Sequence, residues 1–293
     1  HPKSYFSPYR NPKLKDGPDG EHLPARLAND LCSWIRSTQA QEAENAPFFV
    51  YFPFYSVHTP IQARADLVSK YKGRSGTHHA NPKYAAMIEA MDLAVGQLLD
   101  LLDELLLSKN TLVVFTSDNG PHNEARHNPE RFNPSGPLRG MKRTLTEGGI
   151  RVPTLAWWPG TVAPGSNCDQ PLYFGDLMAT ACEMSGSPKP RNLDSVSFLP
   201  TLKGQADKQA KHDFLYWEFY ERTFRQAVIV DDWKLIRSDM DDRRIELYDL
   251  SQDVHEDKNL AKEKPDLAKK FLSMMEKAHV PHPNWPTPRS RKK

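Results

Sequence analysis

The segment from Lys83 to Asn110, KYAAMIEAMDLAVGQLLDLLDELLLSKN, constrains the fold more than any other stretch of the chain. Its apolar residues recur at three- and four-residue steps and form one stripe along a helix. They are Met87, Met91, Ala94, Leu98, Leu101 and Leu105. Apolar β-rich runs stand on both sides, APFFVYFPFYSVHTP before and TLVVFTS after. Strand, long helix and strand predict a right-handed βαβ unit. We therefore expect an α/β sandwich with a mostly parallel central sheet.

The texture of the chain changes after Pro200. Before Pro200, IRVPTLAWWPG predicts a third apolar strand. After it, the short β-rich runs FLYWEFY, QAVIVDDWKLIRS and IELYDL predict a small antiparallel sheet. PDLAKKFLSMMEKAH predicts a C-terminal helix with Pro265 in its first turn. Residues 1–20 contain four prolines and are expected to be irregular. We predict an α/β domain over residues 1–204, incomplete at its N-terminal part, and a C-terminal subdomain over residues 205–293.

Composition excludes several classes of protein. The chain has 293 residues, 38% of them hydrophobic, and a net charge of +2, which argues against a dedicated nucleic-acid binder. No apolar run reaches the length of a membrane span. Cys32, Cys168 and Cys182 give neither a disulfide framework nor zinc spacing. The chain begins with His1 and carries no signal peptide, so we expect its N-terminus to be a cut end.

Candidate ligand residues follow two of the predicted strands. His58 comes just after the first apolar run, and Asp118 and Asn119 end the second. Ligands of open α/β sheets bind beyond the carboxyl ends of the strands. Carboxylate and amide oxygens suit Ca²⁺ or Mg²⁺ rather than zinc or copper. Taken alone, the peptide SDNGP is more typical of a simple turn, and His58 taken alone is also typical of a structural histidine that fixes the loop before Pro60.

A basic loop follows these residues, with GPLRGMKRTLTEGGIRVP at its centre. Between Pro121 and Arg151 its basic residues are Arg126, Arg131, Arg139, Lys142, Arg143 and Arg151, and its acids are Glu124, Glu130 and Glu147. Six minus three gives a local charge of +3. Such a loop suits an anion such as a sulfate or phosphate group, although a solvated basic loop has the same composition.

Taken in order, HTP, the long helix, TSDNGPH and LRGMKRTLTEGGIRVP resemble the formylglycine-dependent sulfatases of the alkaline phosphatase superfamily. WKLI and ELYDLSQDVHEDKNLA are similar to the C-terminal subdomain of that family, with Val254 where the family usually has proline. The resemblance extends over almost the whole chain. The variants SDNGPH and LRGMKR are most similar to the branch of arylsulfatases that acts on sulfated polysaccharides.

The resemblance implies roles for six residues: two metal ligands, two catalytic residues and two substrate-binding residues. They are Asp118 and Asn119 for the metal, His58 and Lys142 for catalysis, and His122 and Arg139 for the substrate. The metal would be Ca²⁺. Lys142 would hold the sulfate, and His58 would contact the sulfate ester and protonate the leaving oxygen.

Two features of the family are absent from this sequence. The nucleophile of the family is a formylglycine made from the cysteine or serine of a C-x-P-x-R type motif, and an acidic pair near the N-terminus completes the metal site. CSWIR places Cys32 and Arg36 at the right spacing, but Trp34 stands where proline belongs and the segment reads as the middle of a helix. We therefore expect a C-terminal portion of a sulfatase, with an incomplete Ca²⁺ site and no activity alone.

The leading interpretation is a sulfuric ester hydrolase acting on sulfated carbohydrate or aryl sulfate esters. One alternative is a phosphonate or phosphodiester hydrolase of the same superfamily, because sulfate and phosphate esters look alike to a lysine and a metal. Another is a non-catalytic module that binds sulfated glycans. The expected partner is a sulfated carbohydrate or small sulfate ester, without nucleic acid or membrane span. The resemblance implies export from the cell, and the oligomeric state and the sugar stay open.

Overall fold

The computed structural model describes residues 3–41, 47–74, 81–123, 132–221 and 223–288. The chain divides into two units. Unit 1 consists of His1–Thr111 and His122–Pro134, and unit 2 consists of Leu112–Pro121 and Ser135–Lys293. The predicted division into residues 1–204 and 205–293 follows a different boundary and stays a prediction.

Helices dominate unit 1. They are α1 (Leu23–Gln41), α2 (Ala65–Tyr71) and α3 (Pro82–Glu104), followed by a 3₁₀ turn at Ser108–Asn110. The start of α3 is set by Asn81, whose Oδ1 accepts from the amide of Tyr84 at 3.1 Å, and by proline at the first helical position. The apolar stripe predicted for this helix is confirmed at Met87, Ala94 and Leu101, which are buried.

The residues before α1 are irregular, as predicted, but they contribute to the core. Tyr5 and Tyr9 are fully buried and pack with Leu23 and Met87. The tyrosines reach this core through isolated bridges and turns rather than through a helix or a strand. Proline content predicts the irregular backbone, but it does not reveal which side chains the backbone will bury.

The first sheet of unit 2 is a short pair. Strands β1 (Val113–Phe115) and β2 (Leu155–Trp157) run antiparallel, and α4 (Glu147–Ile150) lies between them in sequence. No parallel strand pair occurs within the described ranges, so the predicted parallel central sheet is not confirmed. In unit 1, residues 47–55 alternate exposed and half-buried side chains in the manner of a strand, yet no strand is assigned there. A strand exists only with a hydrogen-bonded neighbour, which periodicity alone does not supply.

A four-stranded antiparallel sheet forms the later part of unit 2, as predicted. After α5 (Asp176–Ser185) and α6 (Leu199–Leu202) come β3 (Leu215–Phe219), β4 (Arg225–Val230), β5 (Trp233–Ser238) and β6 (Ile245–Asp249), then α7 (Pro265–Ala278). The strands pair in sequence order. Helix α7 begins at the proline that predicted its start. In the described residues, no helix has both the length and the apolar character that crossing a membrane requires.

The two faces of this sheet pack against different partners. On the helix-facing side, Val228, Leu235 and Leu247 form a core with Phe271 and Met275 of α7. On the loop-facing side, Ala227, Ile236 and Tyr248 form a second core with Leu145. Leu145 belongs to the basic loop, so the segment around this residue is packed on the C-terminal sheet.

Candidate functional site

The chain after β1 bends at a glycine that packs directly on another backbone segment. Gly120 is buried, and its amide donates to the carbonyl oxygen of Gly149 at 2.9 Å. A Cβ atom on Gly120 would lie 1.9 Å from the carbonyl oxygen of Gly148, so only glycine fits this close approach. The SDNGP peptide is therefore a bend with a fixed position beside α4.

The two oxygen-bearing side chains of the predicted metal site lie on this bend. Asp118 is exposed and forms no ion pair with any residue that the structure describes. Asn119 is half-buried, and its Nδ2 donates to the carbonyl oxygen of Gly120 at 2.9 Å. This hydrogen bond uses the amide nitrogen and leaves Oδ1 as a ligand atom. The pair thus presents hard oxygens next to a rigid glycine.

Lys142 is joined to the same bend through its backbone. Its amide donates to the carbonyl oxygen of Pro121 at 2.8 Å. The turn around Lys142 is closed by Thr144, whose amide and hydroxyl donate to the carbonyl oxygen of Met141 at 3.0 and 2.7 Å. The structure therefore places the backbones of the predicted sulfate-holding lysine and of the predicted metal ligands in one hydrogen-bonded arrangement.

Two further glycines complete this arrangement. A Cβ atom on Gly148 would lie 2.2 Å from the carbonyl oxygen of Gly140, and one on Gly149 would lie 2.2 Å from that of Thr144. The amide of Gly148 also donates to the carbonyl oxygen of Arg139 at 2.8 Å. We call the three packed segments the glycine framework; they are residues 118–121, 139–144 and 147–150.

Arg143 holds an unusual backbone conformation inside this framework. Its φ is 76°, in the left-handed region that costs a non-glycine residue roughly 1–3 kcal/mol. The guanidinium of Arg225 donates to the carbonyl oxygen of Arg143 at 3.1 Å, and the side chain of Arg143 donates to Glu221 at 2.7 Å. The strained residue directly follows Lys142, so the surrounding contacts fix the direction in which the chain leaves the lysine.

The guanidinium of Arg139 is engaged by the C-terminal sheet. Its Nη2 donates to Glu246 at 2.8 Å, and its plane lies over the ring of Tyr248, with 5.0 Å to the ring centroid. Burial raises the pKa of Glu246, but hydrogen bonds from the Tyr248 hydroxyl and from Arg139 outweigh it and leave that pKa below its usual value. The role predicted for Arg139 in substrate binding stays a prediction.

A buried ionic cluster, which the sequence did not reveal, contacts the glycine framework at Glu147. Lys234 is fully buried, and its Nζ lies 2.8 Å from Glu147 Oε1 and 2.9 Å from Glu256 Oε1. Both carboxylates are almost completely buried as well. The signal in the sequence was a lysine within the apolar run of β5. Lysine is usually exposed, so strand periodicity alone assigns it to the surface.

The two predicted histidines lie together in unit 1. The rings of His58 and His122 are stacked, with centroids 5.0 Å apart and planes inclined by 22°. His122 is buried and His58 is half-buried. The Nδ1 atom of His58 lies 3.1 Å from the carbonyl oxygen of Thr59, so the tautomer protonated at Nδ1 donates to it.

The loop that carries His58 is tied to the N-terminal core. The hydroxyl of Tyr5 lies 2.6 Å from the carbonyl oxygen of Tyr55 and 2.9 Å from that of His58. Burial raises the pKa of Tyr5, so this phenol keeps its proton as a donor over the whole working range of pH. The irregular first residues therefore help to fix the backbone at His58.

The structure thus collects the six predicted site residues into two groups. His58 and His122 form one group in unit 1, and the backbone of unit 2 unites Asp118, Asn119, Arg139 and Lys142. That all six serve one site remains a prediction. Arg126 and Arg131, which contribute to the predicted basic loop, lie outside the described residues.

The rejection of Cys32 as a nucleophile agrees with its surroundings. Cys32 is a buried residue inside α1, and burial raises the pKa of its thiol. Arg36 forms a two-pronged ion pair with Glu104, with nitrogen–oxygen distances of 2.6 and 2.5 Å. A helical, protonated thiol is a poor nucleophile, because the thiolate is the reactive form.

Comparison with known families decides the identity of the fold. Residues 2–187 match the family model described as Sulfatase, and residues 141–280 match that of the C-terminal part of N-sulphoglucosamine sulphohydrolase. The chain belongs to the sulfatase family. The second match begins in the basic loop and includes the four-stranded sheet and α7.

Individual relatives of this sulfatase-family chain give the same answer. A sulfatase of Formosa agariphila is 32% identical over 280 residues, which cover 87% of this chain and 48% of the relative. N-acetylgalactosamine-6-sulfatase of Mus musculus is 38% identical over 171 residues, which cover 57% of this chain and 31% of the relative. The chain therefore spans about half the length, or less, of these two curated relatives.

A solved structure shares the fold. The crystal structure of Ps i-CgsB has a TM-score of 0.78 and 24% identity, and the match covers 92% of this chain and 58% of that one. The same protein has been solved in complex with k-i-k-neocarrahexaose.

The family's Ca²⁺ can be tested against the donor atoms that this chain offers. Asp118 and Asn119 supply hard oxygens, which fit Ca²⁺ in kind. No group of three or more histidine, cysteine, aspartate or glutamate side chains is placed to hold a metal in the described part of the chain. Since Ca²⁺ takes about six to eight ligands, these two residues fit as part of a site.

Proposed function

We propose that this chain carries the sulfate-holding half of a sulfuric ester hydrolase. The observation that supports this most directly is the glycine framework. It joins the bend at Asp118 and Asn119 to the backbone of Lys142 through the 2.8 Å hydrogen bond from Lys142 to Pro121. An anionic sulfate ester needs a cation and oriented donors held in place before reaction, because preorganised charge costs no reorganisation later.

Lys142 would hold a sulfate oxygen as a flexible point charge with three donors. Its backbone is fixed by the turn from Met141 to Thr144 and by the left-handed Arg143. A fixed origin limits the volume that the ammonium group can reach. It therefore lowers the entropic cost of placing the positive charge on the sulfate.

His58 would protonate the oxygen of the departing alcohol, and His122, whose ring stacks on that of His58, would contact the substrate. An imidazole is suited to this step because its ring nitrogen can carry a proton and donate it to the departing oxygen. Arg139 would contact the substrate from the loop-facing side of the C-terminal sheet. These three roles follow from the family resemblance and from the positions of the residues in the chain.

Two further groups complete the chemistry of the family. When bound, Ca²⁺ would be held in part by Asp118 and Asn119 and would neutralise sulfate charge, and a hydrated formylglycine would supply the attacking oxygen. The chain itself would bind and orient the ester and hold the proton for the leaving group. We therefore propose that the 293 residues alone do not turn over sulfate esters.

Sulfated carbohydrates are the substrate class that we propose. The support comes from N-acetylgalactosamine-6-sulfatase among the relatives and from the structural neighbour solved with k-i-k-neocarrahexaose. The basic loop around Lys142 would suit a polyanionic sugar chain. Action outside the cell would follow from this substrate class, and small aryl sulfates would serve as artificial substrates.

The proposal is tested by hydrolysis of 4-nitrophenyl sulfate and bis(4-nitrophenyl) phosphate in the presence of Ca²⁺. The assay compares the 293-residue chain with a longer form that carries a C-x-P-x-R segment matured to formylglycine. We expect turnover of the sulfate ester by the longer form alone. Lys142→Ala in the longer form should lower kcat/KM by roughly 10²–10³-fold, the usual effect of losing one group that stabilises developing charge.

Lys203→Ala is the matched control, because Lys203 is an exposed lysine after α6 and should leave kcat/KM unchanged. Preferred turnover of the phosphate diester would assign the chain to the phosphoesterase alternative. Binding of sulfated glycan without turnover by the longer form would favour the non-catalytic module. Turnover by the 293-residue chain alone would show that the nucleophile lies within it.

A further inference from the structure

Lys234 lies on β5, far in sequence from every predicted site residue, yet its contacts lead directly to them. Its Nζ contacts Glu147 and Glu256, and Glu256 Oε2 also accepts from the backbone amide of Glu147 at 2.8 Å. The three residues therefore form a closed ring of contacts. Through this ring, the side chain of Glu147 is held by Lys234 of β5, and its main chain is held by Glu256, which follows β6.

The position fixed in this way lies next to the glycine framework. Gly148 and Gly149 follow Glu147, and their backbones bind the carbonyl oxygen of Arg139 and the amide of Gly120 at 2.8 and 2.9 Å. Close packing leaves little room for adjustment, because a single Cβ at Gly120 or Gly148 would meet backbone atoms. A displacement of Glu147 would therefore be transmitted to the bend that carries Asp118.

Charge balance gives a reason for a lysine at this place. Arg151 lies 3.4 Å from Glu147 Oε2, and Arg139 lies 3.9 Å from Glu256 Oε2. With Lys234, three cations thus face two buried carboxylates. An apolar residue could fill the same volume, but it would leave two buried carboxylates next to each other with only the partly exposed arginines as partners.

We propose that Lys234 is a positioning residue for the candidate sulfate site: through Glu147 and Glu256 it holds the glycine framework in the geometry that presents Lys142 and Asp118. This inference rests on the proposed function, since it names the element that orders the same site. It assigns the C-terminal sheet two tasks, one for each face. The helix-facing side stabilises the sheet, and the loop-facing side orders the site.

The test compares Lys234→Met with Leu235→Ala in the 293-residue chain. The two residues are neighbours on β5 and both are fully buried, but Leu235 belongs to the helix-facing core with Phe271. Leu235→Ala is therefore a matched control that destabilises the same strand from the other side. Hydrogen exchange is measured at the amides of Gly120, Lys142 and Gly148, together with the melting temperature of each variant.

We expect Lys234→Met to accelerate exchange at these three amides by roughly tenfold or more relative to Leu235→Ala, once both rates are compared at equal distance below the melting temperature. Equal exchange in the two variants would overturn the proposal, because the effect would then be general destabilisation. Should Lys234→Met fail to fold, the double variant Lys234→Met with Glu256→Gln takes its place. It removes one buried carboxylate and keeps an oxygen to accept from the amide of Glu147.

A second readout separates this inference from the proposed function. Acylation of Lys142 by an amine-reactive reagent is followed by peptide mass spectrometry with inorganic sulfate or with chloride at equal ionic strength. Sulfate should slow the reaction in the parent chain and in Leu235→Ala, and it should lose this effect in Lys234→Met. Absence of protection in the parent chain would contradict the proposed sulfate site, and the exchange comparison would still decide the role of Lys234.

Discussion

The four-stranded sheet and the β1–β2 pair differ in how much of their own core they contain. Strands β3 to β6 pair in sequence order, and Val228, Leu235 and Leu247 at their centre are fully inaccessible. Strands β1 and β2 have three residues each, contain no buried side chain, and leave Leu155 65% exposed. The four-stranded sheet forms between strands that are neighbours in sequence. The β1–β2 pair instead forms between segments that are far apart in the chain.

The largest effect that we expect contrasts the core of the C-terminal sheet with the exposed run at 47–55. Phe271→Ala should lower the free energy of unfolding by about 3–5 kcal/mol, because Phe271 is 1% exposed in the helix-facing core. Phe49→Ala should change it by less than about 0.5 kcal/mol, because Phe49 is 79% exposed. Urea denaturation followed by circular dichroism measures both. A large loss with Phe49→Ala would mean that the run at 47–55 already lies in a core.

The irregular N-terminal segment extends the comparison, since distant residues bury it. His22 packs on the ring of Phe6 at 4.9 Å, and burial, reinforced by the positive charge of Arg64, lowers its pKa to about 4. The unfolded chain takes up a proton near pH 6.5, but the folded chain does so only near pH 4. Stability should therefore fall as the pH drops from 6.5 to 4, by roughly 3 kcal/mol in total, and should be unaffected by this group above pH 6.5.

Replacing His22 with asparagine removes this titration and keeps a polar donor. As the pH falls from 6.5 to 4, the parent chain should lose unfolding free energy relative to His22→Asn. The variant should therefore become more stable in comparison with the parent chain. Measuring the difference cancels the carboxylates that titrate in both chains. A difference that does not change with pH would show that His22 is protonated equally in the folded and unfolded states.

A smaller effect distinguishes two glycines. Gly120 packs on a segment that is distant in sequence, whereas Gly96 lies within a helix. Gly120→Ala should cost about 1–3 kcal/mol, because the new Cβ would meet the backbone of Gly148 at 1.9 Å. Gly96→Ala should stabilise the chain by about 0.5–1 kcal/mol, because Gly96 lies within α3 and no atom lies within 4 Å of its Cβ position. Thermal denaturation of the two variants gives both signs. Stabilisation by both substitutions would contradict the close packing of the framework.

The same contrast explains how much the sequence could predict. Periodicity and a proline located α3 and α7, and turn-separated β-rich runs located the antiparallel sheet, because each of these features depends on near neighbours. The orientation of β1 and β2 was not predictable in this way, since strand pairing is decided by which distant segment supplies the hydrogen bonds. Residue type identified Asp118 and Lys142 as candidates. Only the structure reveals that the hydrogen bond from the Lys142 amide to the carbonyl oxygen of Pro121 joins their segments.

Burial of charge was the other limit of the sequence. Lys234 and Arg237 on β5 are residue types that are rarely fully buried, yet both are essentially inaccessible. Each is buried because its partners come from other elements: Glu147 and Glu256 for the lysine, and Glu276 of α7 among those of the arginine. A charged residue is buried when its counter-charge is brought to it, and that pairing is a property of the fold.

The most direct test of the account is a crystal structure of the chain, in its longer form, with Ca²⁺ and sulfate. We expect an ion about 2.3–2.6 Å from oxygens of Asp118 and Asn119. We also expect a sulfate oxygen within hydrogen-bond distance, about 2.7–3.2 Å, of Lys142 Nζ. An ion or sulfate bound away from the glycine framework, with Asp118 and Lys142 left in solvent, would contradict the site that the framework presents.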